Sequence, residues 1–350
     1  MTREDLAAIC HPSGQRKQFC FADNQRPRTN DWILRHEPDQ TPFCTSEAAS
    51  YNNGRQAFHP PAIRPAPEGI RRLYFRPRTL DEAVHNLAAH GGQILSGGTD
   101  FYPALGERRI SSPVVDVSGV AELRGISMES DHVRIGGLTT WTDVLRTPLP
   151  HCFDALKAAA REVGSVQIQN RGTVAGNLCN ASPAADGVPP LLALNAEVEL
   201  VSREGRRKLP LSNFIVGNRK TLRRPDEVLA NIVVPRDLDQ ARSAFLKLGS
   251  RRYLVISIVM VAAVVKADHT GRLEEARIAV GSCSVVARRL TELERSLRGA
   301  KAVPGFSKLV SAEHLAPLSP IDDVRATAAY RREAAMTMVQ RALEACVEGR

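Results

Sequence analysis

The sequence predicts an α+β chain: a small β-α-β unit, a larger mixed α/β stretch, and a C-terminal module of antiparallel sheet and helices. Three observations predict it. Strand, helix, strand, loop and strand patterns follow one another between Leu73 and Val117. From Phe245 onward, alternating residues mark antiparallel strands, and helical spacing follows them. Between these regions, Gly164 to Pro190 holds neither pattern and is rich in Gly, Asn, Ser and Pro. An irregular stretch of that length with so few charges reads as a functional loop rather than a disordered one.

Leu73 to Pro77 reads as a short strand. Thr79 caps the next helix, and Glu82 three residues on completes a capping box. Leu80, Val84, Leu87 and Ala88 share one face of that helix, and Gly91-Gly92 ends it. Gln93 to Leu95 resumes as strand and runs into Ser96-Gly97-Gly98-Thr99-Asp100, and Pro113 to Val117 is a further strand. His132 to Leu138 alternates as a strand. Thr140 then caps a helix with Asp143 at its third position. Asp154 to Val163 is helical, with Leu156, Ala159, Ala160 and Val163 on one side. Glu197 to Val201 and Lys208 to Leu211 flank Arg203-Glu204-Gly205 as a hairpin. Strands follow at Val228 to Val234, Phe245 to Leu248, Val255 to Val265 and Glu275 to Val280. Helices close the chain at Ala287 to Leu297 and Arg325 to Val347. At the other end, PPAIRPAPEG (60–69) reads as a stiff linker, because each proline fixes its own φ and moves its predecessor out of the helical region. Residues 1–70 are expected to be a poorly ordered extension.

The chain has 350 residues, 43% hydrophobic and 24% charged. That is enough for two or three compact units and too apolar for a disordered chain. The longest strongly apolar run, Val255 to Val265, falls well short of the roughly 20 residues that cross a bilayer. The N-terminus lacks the apolar stretch of a signal peptide, so a cytoplasmic location is expected. Seven cysteines are scattered without a CxxC, which removes zinc-ribbon, thioredoxin and ordinary iron–sulfur spacings; free thiols are expected. The net charge of +9 lies wholly beyond residue 70. Its arginines are dispersed in pairs, without the basic tracts or interleaved aromatics of a nucleic-acid surface, and suit a solvated or protein-docking face.

Two glycine-bearing bends are candidate sites. In ILSGGTD (94–100), consecutive glycines let backbone N–H groups converge on an anion as a nest. The segment is neither a Walker A loop nor GxGxxG, and by itself it reads more readily as a structural turn. In Arg171 to Asn177, Gly172, Ala175 and Gly176 again permit close approach, while Thr173, Asn177 and Ser182 offer neutral hydrogen bonds. Asp186 can accept from sugar or ribityl hydroxyls. An ordinary structured loop is the alternative there.

Together, GGTD (97–100), IGGLTTWTDV (135–144) and VGSVQIQNRGTVAGNLCNASPAADGVPPLLAL (163–194) resemble the FAD-binding medium subunit of the molybdenum hydroxylases, the family of xanthine dehydrogenase and carbon monoxide dehydrogenase. The resemblance covers about 71–350. It implies a two-lobed FAD-binding domain over 71–235 (lobes about 71–125 and 126–235) and a C-terminal α+β domain over 240–350. It implies an oxidoreductase subunit of a heterotrimer, with FAD as cofactor and no catalytic acid–base pair or metal site of its own. Electrons would pass from 2Fe-2S centres on a small subunit, fed by a molybdopterin-binding large subunit, to an external acceptor such as NAD or a quinone.

The resemblance also assigns FAD-binding positions. The first loop is Ile94, Leu95, Ser96, Gly97, Gly98, Thr99, Asp100 and Phe101. The second is Thr173, Val174, Ala175, Gly176 and Asn177, where Ala175 replaces the family's first glycine and fits if its φ is negative. Asp186 would take a cofactor hydroxyl. Leu229 would add an apolar contact, and Lys247 would bring positive charge near the ring system and favour its reduced anionic form. Val163 stands where some relatives carry an aromatic residue, so ring stacking is not expected there. Cys10, Cys20 and Cys44 are too far apart to ligate a cluster, and Cys179 reads as a packing residue. Two rival readings remain at this level: a scaffold that has lost FAD, suggested by Ala175 and Val163, and a basic nucleic-acid-binding protein.

Overall fold

The computed structural model describes residues 74–348; the expected extension, its linker, Leu73 and Cys10, Cys20 and Cys44 lie outside them. Strands β1 (Tyr74–Phe75), β2 (Gln93–Leu95) and β3 (Val114–Asp116) form a parallel sheet in the order β1-β3-β2, with α1 (Leu80–His90) and α2 (Phe101–Leu105) in the connections. Thr79 Oγ1 accepts the Glu82 amide at 3.1 Å, starting α1. The return half of the expected capping box differs: Glu82 Oε2 accepts from the Arg78 amide at 2.7 Å, another donor left over at the helix start. Leu80, Ala83, Val84 and Leu87 are buried, whereas Ala88 is exposed. Eight positions after Leu80, its side chain has rotated about 80° away from the contact face.

The central unit contains β4 (Ile126–Met128), β5 (His132–Gly136), α3 (Trp141–Arg146), α4 (Asp154–Glu162), α5 (Val166–Gln169), α6 (Val174–Asn180), α7 (Val188–Ala193), β6 (Glu197–Ser202), β7 (Gly205–Pro210), α8 (Leu211–Phe214), β8 (Ile215–Gly217), β9 (Lys220–Thr221) and β10 (Val228–Pro235). Its five-stranded antiparallel sheet runs β4-β5-β10-β6-β7, and β8 and β9 form a separate hairpin. The Thr140–Asp143 capping box is complete. Residues 164–190, which hold no sequence periodicity, contain the short helices α5 and α6 and the first turn of α7. Helices of four to seven residues complete at most two turns, too few for an i, i+3, i+4, i+7 stripe to repeat.

The C-terminal sheet is antiparallel, as expected, in the order β11 (Arg242–Leu248), β12 (Val259–Ala267), β13 (Leu273–Gly281) and β14 (Arg288–Arg289), with α9 (Thr291–Leu297) and α10 (Ala328–Glu348). Val259, Val261, Ala263 and Val265 share a core with α9 and α10, whereas Met260, Ala262 and Val264 belong to the core of α4 and α7. Burial of β12 on both faces explains its unbroken apolar run. The strand begins at Val259, not Val255, because residues 250–258 leave the sheet through Leu254 at φ +51°. The helix expected from Ala287 begins at Thr291, since Arg288 and Arg289 pair with β13. α10 begins at Ala328 rather than Arg325 because Asp323 holds the Arg325 and Ala326 amides in a turn, at 2.8 and 3.2 Å. No helix among the described residues is long and apolar enough to cross a membrane.

Candidate functional site

The two glycine bends meet. Ser96 Oγ lies 3.3 Å from Thr173 Oγ1, and a Cβ on Gly97 would stand 2.0 Å from the Arg171 carbonyl oxygen. Only a glycine lets the first bend lie this close to the second. Gly98 adopts φ +76°, a left-handed conformation that suits glycine. The amides of Gly97, Gly98 and Thr99 find no acceptor among the described residues. In the second bend the amides are largely used internally: Gly176 donates to Thr173 Oγ1 at 2.9 Å and Asn177 to the Thr173 carbonyl at 3.1 Å. What that bend presents instead is side chains. Asn177 Oδ1 is buried with no hydrogen-bond partner, which for a buried polar atom marks a missing partner.

Both bends border one cleft of about 1230 Å³. Ile94, Ser96, Gly97, Gly98, Thr99, Asp100, Phe101, Thr173, Ala175, Gly176, Asn177, Asp186, Leu229 and Lys247 all line it. Leu95 and Val174 do not; their side chains are buried. Leu229 sits at a β-bulge in β10, and Gly137 closes on its carbonyl so tightly that a Cβ there would come within 2.3 Å.

Asp186 and Lys247, expected to act separately, are partners. Lys247 Nζ donates to Asp186 Oδ2 at 2.7 Å, with side chains only 7% and 9% exposed. Ser257 Oγ donates to Asp186 Oδ1, also at 2.7 Å. Burial pushes the Asp186 carboxyl above its ordinary range, and Lys247 and Ser257 pull it back only in part. Ala175 lies within α6, away from the positive-φ region, so its methyl meets the condition set by the sequence. Ala175→Gly is therefore expected to leave flavin affinity unchanged and to cost about 0.5–1 kcal/mol of stability, the penalty of glycine inside a helix. Parallel FAD titration and thermal unfolding check it.

Sequence reasoning missed several cleft residues. Trp141 packs beneath Gly172 and Gly187. Arg219, Lys220 and Arg223 bring positive charge to the wall from the β8–β9 region, and Leu254, Val255 and Ile256 line it from the loop before β12. Ser257 carried a readable signal, since a hydroxyl interrupting an apolar run needs a partner once buried. The cationic wall carried none, because Arg219-Lys220 looks like any exposed turn. Cys179 also lines the cleft, with its thiol pushed up to about 11 by burial.

Unpaired amides in a glycine bend, an orphaned carboxamide and a roomy cleft are the features of a nucleotide-cofactor site, and the residues present fit such a group. Residues 67–237 match the family model described as the FAD binding domain in molybdopterin dehydrogenase, and 244–346 match the CO dehydrogenase flavoprotein C-terminal domain. The chain belongs to this family, the FAD-binding subunits of xanthine and carbon monoxide dehydrogenase-type oxidoreductases. It is 35% identical to the nicotinate dehydrogenase FAD-subunit of Eubacterium barkeri over 57% of this chain and 70% of that one. It is 30% identical to the xanthine dehydrogenase FAD-binding subunit of Escherichia coli over 78% and 95%. In structure it resembles carbon monoxide dehydrogenase from Hydrogenophaga pseudoflava, with a TM-score of 0.71 and 29% identity over 79% of this chain and 97% of that one.

Proposed function

We propose that this chain is the electron-transfer subunit of a heterotrimeric, cytoplasmic molybdenum hydroxylase. It takes electrons from 2Fe-2S centres on a small partner subunit, fed by a molybdopterin-binding large subunit, and delivers them to an external acceptor, NAD or a quinone. Residues 71–235 carry the cofactor and 240–350 form the second domain. The single observation that carries this reading is the convergence of the two bends on unpaired amides and the orphaned Asn177 Oδ1. When bound, FAD supplies the redox chemistry of the subunit. In this reading, the amides of Gly97, Gly98 and Thr99 hold its diphosphate with Ser96 and Thr173, and Asn177 satisfies its carbonyl on the cofactor. Asp186, its charge balanced by Lys247, accepts from a cofactor hydroxyl, and Leu229 adds apolar contact.

Full-length protein incubated with FAD is expected to retain stoichiometric flavin through gel filtration. Co-expression with a 2Fe-2S subunit and a molybdopterin-binding subunit of this family is expected to yield a complex whose substrate-reduced flavin is reoxidised by NAD or a quinone. A folded protein that stays colourless, or a complex whose flavin never reduces with substrate, overturns the reading.

A further inference from the structure

Asp186 is held from a distance. Arg331 of α10 is 3% exposed, and its guanidinium pins two strand ends. Nη1 donates to the Ile258 carbonyl, just before β12, at 2.6 Å, and to the Ser282 carbonyl, just after β13, at 3.1 Å. Nη2 donates to Asp323 Oδ1 at 2.7 Å, which fixes the plane of the fork. From each pinned carbonyl a short route leads to the cleft. Beside Ile258 stands Ser257, 2% exposed, whose hydroxyl donates to Asp186 Oδ1 at 2.7 Å. Ser282, held at φ +62°, donates its amide to the Pro183 carbonyl at 3.1 Å, three residues before Asp186.

We propose that Arg331 is a positioning residue of the cofactor cleft, setting the place of Asp186 through Ser257 on one side and Pro183 on the other. This rests on the reading of the cleft as the FAD site. An arginine kept only for packing would be better replaced by an apolar side chain, because desolvating a guanidinium is costly. The planar fork instead matches two carbonyls and a carboxylate at once, a geometry that neither lysine nor methionine reproduces. The left-handed Ser282 carries one of the two carbonyls that this fork fixes, and the excursion of residues 250–258 from the sheet ends at the other.

A double-mutant cycle in the full-length protein tests the proposal, with the FAD dissociation constant and the melting temperature read together. Arg331→Lys is expected to weaken FAD binding about tenfold, a coupling usual for residues within one hydrogen-bond network. In an Asp186→Ala background the same change should cost less than about twofold, because no carboxylate is left to place. The melting temperature should fall by a similar amount in both backgrounds. Asp323→Asn, which weakens the carboxylate anchor of the fork, should reproduce the pattern to a smaller extent. It decides the matter if Arg331→Lys fails to fold, and unchanged affinity in Asp323→Asn would count against the proposal. Equal loss of affinity in both backgrounds, or a lower melting temperature with unchanged affinity, would reduce Arg331 to a structural residue. Wild-type chain that takes up no FAD would instead refute the cofactor reading.

Discussion

Gly97→Ala is expected to abolish flavin retention by folded protein. The added methyl would lie 2.0 Å from the Arg171 carbonyl oxygen, 2.7 Å from its carbon and 3.0 Å from Gly172 Cα. All three are backbone atoms, so no side-chain rotation relieves the clash and the bends must part. Overpacking of this kind costs about 1–3 kcal/mol or more. It also breaks the Ser96–Thr173 contact and moves the free amides away from Asn177. Because the displacement falls on the binding geometry itself, the affinity loss should exceed the stability loss. Gly217→Ala is the control, since its Cβ would meet only Lys220 side-chain atoms at an ordinary 3.7 Å. Visible flavin absorbance after gel filtration, with thermal unfolding in parallel, measures both effects. Full flavin retention by Gly97→Ala would show that the bends need not touch.

Lys247→Met should be the most destabilising single change at the cleft. It leaves Asp186 as a buried carboxylate without its cation, and removing one member of a buried pair costs about 3–5 kcal/mol. The loss should depend on pH in a definite direction. Burial already raises the Asp186 pKa in the folded state, so the folded protein binds that proton more tightly than the unfolded chain. Stability from this group therefore grows as pH falls from the raised value towards the ordinary carboxylate range, and is lost as pH rises back through it. Without Lys247 the folded pKa rises further. The deficit of the variant against wild type should then be greatest at neutral pH and shrink on acidification. Lys247→Met combined with Asp186→Asn should recover most of the stability, since a neutral carboxamide replaces the uncompensated charge. Denaturant unfolding across mildly acidic to neutral pH tests this. A deficit that grows on acidification would contradict the assigned charge balance.

Much of the fold was legible because its cues are local. Thr79 and Thr140 announce helix starts through one hydroxyl and one amide three residues on, and both caps form. The hairpin around Arg203-Glu204-Gly205 and the antiparallel C-terminal strands follow from alternation. Where cues need more than two turns, as in α5, α6 and α7, the sequence shows only an irregular stretch. The apolar run from Val255 hides its own break, because Leu254 to Ser257 are apolar or small for a different reason: they line or buttress the cleft.

By itself the sequence determined the glycine bends, the small polar groups beside them and, through a resemblance in those same segments, the flavin cofactor. Composition and spacing within each bend are properties of the chain alone. Only the tertiary structure decided that the bends touch at Gly97 and Arg171, that Asp186 and Lys247 neutralise each other, and that Arg331 pins the Ile258 and Ser282 carbonyls. Those contacts join residues tens of positions apart. No local propensity encodes such a meeting; burial of the shared cores around β12 and α7 enforces it.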